Sequence, residues 1–171
     1  MTVSRQDDKP WKTDLARKAA ERRDQVAREL EQVISKAPSF EEALRQAVEL
    51  MKKRFARFAA VTAYVADGEE LAVHLALERP QGPERVGASG SPVADAAQGT
   101  NPTVVNDLVS STSWASVGLT VGSVMVAPVR TEAGLWAILE VWSDFRDAFS
   151  APDSKLLGRV AQALAHKTPA A

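Results

Sequence analysis

At Phe58 the spacing of apolar residues changes from a helical period to a strand period, and that change limits the folds open to the chain. Upstream, Leu15, Ala19, Val26, Leu30, Val33 and Ala37 trace one helical stripe, interrupted by Arg22. The spacing predicts a helix over 14–37, ended by Pro38, because proline disfavours helical geometry in the residue before it. Ser39 can cap a second helix, with Glu42 at the capping-box spacing. Its apolar face, from Phe40 through Leu44, Ala47, Val48 and Met51 to Phe55, is broad enough to cover a sheet.

Downstream, residues 58–66 and 71–77 read as strands joined at Asp67-Gly68, a hairpin turn pair. The second alternates, with Leu71, Val73, Leu75 and Leu77 expected on one face and Ala72, His74 and Ala76 on the other. Residues 80–92 are rich in Gly, Pro and Ser and read as loop, and 91–98 as a short helix ended by Gly99. A brief strand over 103–106 precedes a polar stretch, 107–119, that holds Trp114. Strong strands follow at 123–130 and 135–142, then a last helix to about His166, with Ser150 at its N-cap and Asp153 three residues on. Strands joined by short turns imply an α+β fold: an antiparallel sheet of five to six strands with the N- and C-terminal helices on one face. The boundaries expected are a polar N-terminus and helical arm over 1–37, a domain over 38–167 and a tail over 168–171.

The absence of cysteine narrows the chemistry further. It removes disulfides, thiolate metal sites, cysteine nucleophiles and thioether-linked cofactors, and it is compatible with a reducing, cytoplasmic setting. A formal net charge of −1 gives no global field toward nucleic acid or an anionic membrane. There is no charge-free apolar run of the ~20 residues a bilayer requires. The two histidines have no carboxylate at helical spacing, so no metal site is expected, and no cofactor. Ser39, Ser89, Ser91 and Ser123 lack a histidine-acid partner at any recognisable spacing. Gly82, Gly87 and Gly90 read as turn residues rather than a phosphate cradle.

The element order resembles the GAF family of sensory domains, a plan shared in outline with PAS domains. The resemblance runs from about Ser39 to Lys167. It rests on Ala63-Tyr64-Val65-Ala66-Asp67-Gly68, on Val124-Met125-Val126-Ala127-Pro128-Val129 and on Leu135-Trp136-Ala137-Ile138-Leu139-Glu140-Val141. The segment from Ala148 to Leu157 is similar to the phrase that opens the family's last helix. Within the family the chain is similar to free methionine-R-sulfoxide reductases. Those enzymes work by cysteine attack and disulfide formation, which this chain lacks the residues to perform. Of the acidic residues that resemblance implies on the last two strands, only Glu140 remains, with Val124 and Trp142 in place of others. The resemblance therefore implies a non-catalytic sensory domain.

Two function classes follow. In one, a small molecule sits between sheet and loops against Tyr64, Trp114, Glu140 and Trp142, and binding is relayed through the terminal helices. Glu140 is expected to share a strand face with Trp136, Ile138 and Trp142, where burial would raise its pKa. The alternative is an exposed face with a wet Glu140, or a dry core closed by Trp114. In the other class the domain is a homodimerisation or docking module, with Leu15, Val26, Leu30 and Val33 at the interface. That stripe can pack on its own domain or on a second copy, and the thin, arginine-interrupted pattern leans toward the second copy. His74 reads as a residue on the wetter side of its strand, and His166 as a frayed helix end.

Overall fold

The computed structural model describes residues 10–78, 84–87, 91–108 and 122–168. Helix α1 spans Pro10–Lys36 and α2 spans Phe40–Arg54. Strands β1 (Ala60–Asp67) and β2 (Glu70–Leu77) form the first hairpin, followed by the two-residue β3 (Arg85–Val86), α3 (Pro92–Gln98) and β4 (Thr103–Val105). Strands β5 (Ser123–Thr131) and β6 (Gly134–Ser143) form the second hairpin, and α4 spans Ala151–Ala165. The six strands make one antiparallel sheet in the order β3-β2-β1-β6-β5-β4. Only the short β3 was not anticipated from the sequence.

The helix starts follow from their caps. Ser39 Oγ accepts from the Glu42 amide at 3.2 Å, and Ser91 Oγ accepts from the Ala94 amide at 3.0 Å. At α4, Asp153 accepts from the Ser150 amide at 2.9 Å and from its hydroxyl at 2.6 Å. The first hairpin turns through Gly68-Glu69, one residue later than expected, with Gly68 at φ +65°.

Helices α1, α2 and α4 cover one face of the sheet. Val61, Ala63, Met125, Ala127, Val129, Ala137, Leu139 and Val141 pack there against Val26, Leu30, Leu44, Val48, Met51, Leu157 and Val160. Helix α3 and Leu108 cover the other face, over Ala60, Tyr64, Leu71, Val124, Val126, Ile138 and Trp142. The central strands β1, β6 and β5 are thus buried from both sides, which explains their nearly continuous apolar sequence.

Two bulges redistribute the faces. The pairing steps from Ala63↔Leu75 to Tyr64↔Val73, leaving His74 without an opposite residue. It also steps from Val129↔Ala137 to Arg130↔Leu135, leaving out Trp136. An extra residue shifts the side-chain alternation by one. Leu71 and Val73 therefore face α3, whereas Leu75 and Leu77 face α1, α2 and α4, so the expectation of one shared face is corrected. His74, at the bulge, is exposed.

The stripe on α1 also differs from expectation. Val26 and Leu30 are buried in this chain's own core, Val33 is half-buried, and Leu15 is 57% exposed. Val26 and Leu30 are thereby removed from any interface with a second copy: α2 and α4 already cover them. Polar contacts fix that packing. Arg159 of α4 bonds both oxygens of Glu31 at 2.7 and 2.8 Å and reaches Asp24 at 2.5 Å. Lys167 Nζ donates to the Ala37 carbonyl at 2.8 Å. Asp153 is almost wholly buried and receives Arg23 at 2.9 Å and Arg57. Burial opposes its charge, but the Ser150 hydrogen bonds and the two guanidinium groups outweigh it and hold the carboxyl below its ordinary value.

Because Leu30 is fully buried, Leu30→Ala should destabilise the isolated chain by about 2–5 kcal/mol in urea unfolding. A loss under about 0.5 kcal/mol, the range of surface changes, would contradict this placement.

Candidate functional site

On the α3 face of the sheet, alternation along β1 and β6 lines up four side chains with polar atoms: Thr62, Tyr64, Glu140 and Trp142. All four are fully buried. Thr62 and Glu140 are direct cross-strand partners, and Glu140 pairs on its other side with Val126 of β5. Tyr64 and Trp142 lie two residues along from Thr62 and Glu140 on the same face. The apolar surround is Leu71, Val86, Val93, Leu108, Val124, Val126 and Ile138.

The polar atoms in this setting are incompletely matched. The Tyr64 hydroxyl donates to Glu140 Oε1 at 3.4 Å, a long bond. Glu140 Oε2 and Thr62 Oγ1 have no hydrogen-bond partner among the described residues. Burial pushes the Glu140 carboxyl up to about 7, and the Trp142 indole and Tyr64 hydroxyl pull it back only in part. Burial and the adjacent Glu140 charge push the Tyr64 hydroxyl up as well. A carboxyl poised between charged and neutral, facing an apolar surround, can accept hydrogen bonds from a ligand or donate one to it.

Three of the four residues expected at a ligand site, Tyr64, Glu140 and Trp142, are therefore brought together. Trp114 lies outside the described residues, as do Gly82, Ser89 and Gly90. Trp136 does not join the cluster. The β6 bulge turns it to the helix face, where it stacks obliquely on Phe40 at 6.1 Å and its Nε1 donates to Thr131 Oγ1 at 3.2 Å. Thr62 was missed from the sequence. Its signal was a lone hydroxyl within the apolar run of β1, in phase with Tyr64.

Charged side chains away from this cluster have structural roles. Lys52 Nζ donates to the carbonyls of Phe58 and Ala59 at 2.8 and 3.1 Å, while Arg54 and Arg57 pair with Glu29 and Asp153. His74 Nε2 lies 3.7 Å from Glu41 Oε1, on the opposite side of the sheet's packing from Glu140. Among the described residues, no group of three or more His, Asp or Glu side chains could hold a metal ion, and no helix is long and apolar enough to cross a membrane.

A curled antiparallel sheet, with terminal helices on one face and a small helix over a buried polar cluster on the other, defines an α+β domain. The profile of the GAF domain family matches residues 37–166, and the chain belongs to that family. Comparison with curated proteins by sequence gives no match. Among solved structures, the free methionine-R-sulfoxide reductase of Neisseria meningitidis, in complex with its substrate, superposes with a TM-score of 0.78 at 19% identity, covering 98% of this chain and 93% of that one. The GAF domain of a phosphoenolpyruvate-protein phosphotransferase from Coxiella burnetii gives 0.73 at 16% identity, over 86% of this chain and 93% of that one. Its Acinetobacter counterpart gives 0.71 at 15% identity, over 83% and 89%. At these identities the likeness establishes the fold.

The raised Glu140 pKa carries a pH signature. Between the ordinary value of 4.5 and about 7 the folded chain keeps a proton that the unfolded chain releases, so this group lowers stability as pH rises through that window. The loss is up to about 3 kcal/mol and is complete above pH 7 to 8. Urea unfolding of the wild type and Glu140→Gln should agree near pH 4, below the ordinary carboxyl value, with the variant more stable at pH 8. Parallel pH profiles for the two proteins would contradict the buried placement.

Proposed function

We propose that the chain is a non-catalytic sensory or regulatory GAF domain that binds a small molecule on the α3 face of its sheet and signals through its terminal helices. One observation carries this reading: Glu140 Oε2 and Thr62 Oγ1 are buried on paired residues without hydrogen-bond partners among the described residues. A buried polar group left unsatisfied costs about 1–3 kcal/mol, and native folds keep few of them. A ligand donating to Glu140 and Thr62 would remove that penalty, and the apolar surround would take its less polar part.

The route to the helices is short. Glu140 lies between Leu139 and Val141 on β6, whose side chains pack against the α1, α2 and α4 layer. Movement of β6 on binding would be felt there directly. The non-catalytic part rests on the missing chemistry. Without cysteine the chain cannot follow the thiol route of the reductases it resembles, and neither histidine lies on the Glu140 face. A cysteine-free chain suits a cytoplasmic setting. A second reading, a dimerisation module, is favoured by the exposure of Trp11 and Leu15.

A thermal-shift screen tests the proposal, with nucleotides, cyclic nucleotides, amino acids, keto acids and tetrapyrroles as probes. A ligand at a hundred times its Kd should add ~2.7 kcal/mol of stability. The shift should disappear in Glu140→Gln and weaken in Thr62→Val, both with wild-type circular dichroism. A shift that persists in Glu140→Gln would remove Glu140 as the anchor, and a silent screen would favour the dimerisation reading.

A further inference from the structure

We infer, resting on the ligand reading above, that the small molecule taken up on the α3 face is an organic cation whose ammonium group pairs with Glu140 between Tyr64 and Trp142.

Strand register fixes the order of side chains on this face. Thr62 lies directly across from Glu140. Tyr64, opposite Ile138, stands to one side of that pair, and Trp142, next along β6 on the same face, stands to the other. The two central groups each keep an acceptor for a donor from outside: Glu140 Oε2 and Thr62 Oγ1 are buried and unmatched among the described residues. Oε1 already receives the Tyr64 hydroxyl at 3.4 Å. An ammonium carries three N–H donors and no acceptor, so one such group can serve Oε2 and Oγ1 together. Flanking aromatic rings suit a cation as well, because their faces carry negative charge.

Charge selects a cation over a neutral donor. The buried surround of Glu140 is apolar apart from Thr62 and Tyr64, and the one charged residue of α3 is the exposed Asp95. Arg130, toward the end of β5, donates to the Ala97 and Gly99 carbonyls at the end of α3. Arg85 of β3 is exposed and bonds Asp67 and Glu70 at 2.8 and 3.0 Å. Of the internal stretches outside the described residues, 88–90 and 109–121 contain no charged residue, and 79–83 contains Arg79 alone. A buried carboxylate requires a counter-charge. A hydroxyl or amide would bring a hydrogen bond without that charge, and an anion would add like charge. A metal ion takes more ligands than one carboxylate and one hydroxyl supply.

The approach to this face has the sign a cation needs. A cleft of about 250 Å³ lies between the β1–β2 turn, β3 and α3. Leu71, Val86 and Ala94 line it and also belong to the apolar cluster around Glu140. Asp67, Glu69, Glu70, Glu84 and Asp95, on or beside the elements that form it, are all exposed. Arg85 pairs with Asp67 and Glu70, which leaves Glu69, Glu84 and Asp95 without an ion pair among the described residues. A cleft bordered by one sign of charge concentrates ligands of the other.

Isothermal titration calorimetry with matched probes tests this: the ammonium, alcohol and carboxylate forms of benzyl, phenethyl, butyl and cyclohexyl skeletons. At least one ammonium should bind, with its alcohol and carboxylate at least about tenfold weaker. Its affinity should rise at least about tenfold from roughly pH 5.5 to 8, because Glu140, pushed up to about 7 by burial, must lose its proton to pair with it. Glu140→Gln should abolish the binding with unchanged circular dichroism, and Glu69→Lys with Asp95→Lys should weaken it at low salt. An alcohol or carboxylate that binds in preference to its ammonium would overturn the cationic assignment and leave the ligand reading standing. Ammonium binding that persists in Glu140→Gln would overturn the pairing with Glu140. Silence from all three forms of every skeleton would overturn this assignment together with the ligand reading.

Discussion

The structure depends on the burial of β1, β6 and β5 from both sides. A strand covered on both faces cannot sort its residues into wet and dry, so nearly every position must be apolar or matched. That condition holds through Val124–Val129 and Ala137–Val141 with one charged exception, Glu140. Its position in the middle of the sheet makes it costly to ionise, and the cost makes it informative. The same condition singles out Thr62, whose hydroxyl has no hydrogen-bond partner among the described residues.

The helical layer is fastened to this sheet by a separate device. Asp153 caps α4 and gathers Arg23 from α1 and Arg57 from the segment leading into β1. Three parts of the chain distant in sequence thereby share one buried carboxylate, which stays charged because its hydrogen bonds and cations outweigh its burial. Glu140 and Asp153 show two outcomes of burying an acid. One is surrounded by cations and donors and stays charged, while the other has too few of either among the described residues and is pushed toward its neutral form.

Much of this was legible in the sequence. The change of period at Phe58, the caps at Ser39 and Ser150, and the two hairpins gave the element order, and the phrases around Val124, Leu135 and Phe149 gave the family. That Glu140 and Trp142 share a face followed from strand alternation, whereas the place of Tyr64 beside them depends on the pairing of β1 with β6. The bulges were not legible, since neither His74 nor Trp136 differs in type from a regular strand residue and only the pairing partner reveals the shift. Trp136 was assigned to the wrong face for that reason. The stripe on α1 misled for another: Val26 and Leu30 look the same from sequence whether α2 and α4 or a second copy covers them. Only their burial against α2 and α4 separates the two cases, and it leaves Trp11 and Leu15 as the uncovered remainder.

The central claim is that Glu140 is sealed in an apolar face with too few partners to hold its charge. Titration of its side-chain carboxyl by carbon-13 NMR, with Glu140→Gln supplying the assignment, measures this directly. The account predicts a midpoint near 7 in the ligand-free protein. A midpoint near the ordinary 4.5 would mean that water or a donor already satisfies the carboxylate, and would contradict the account.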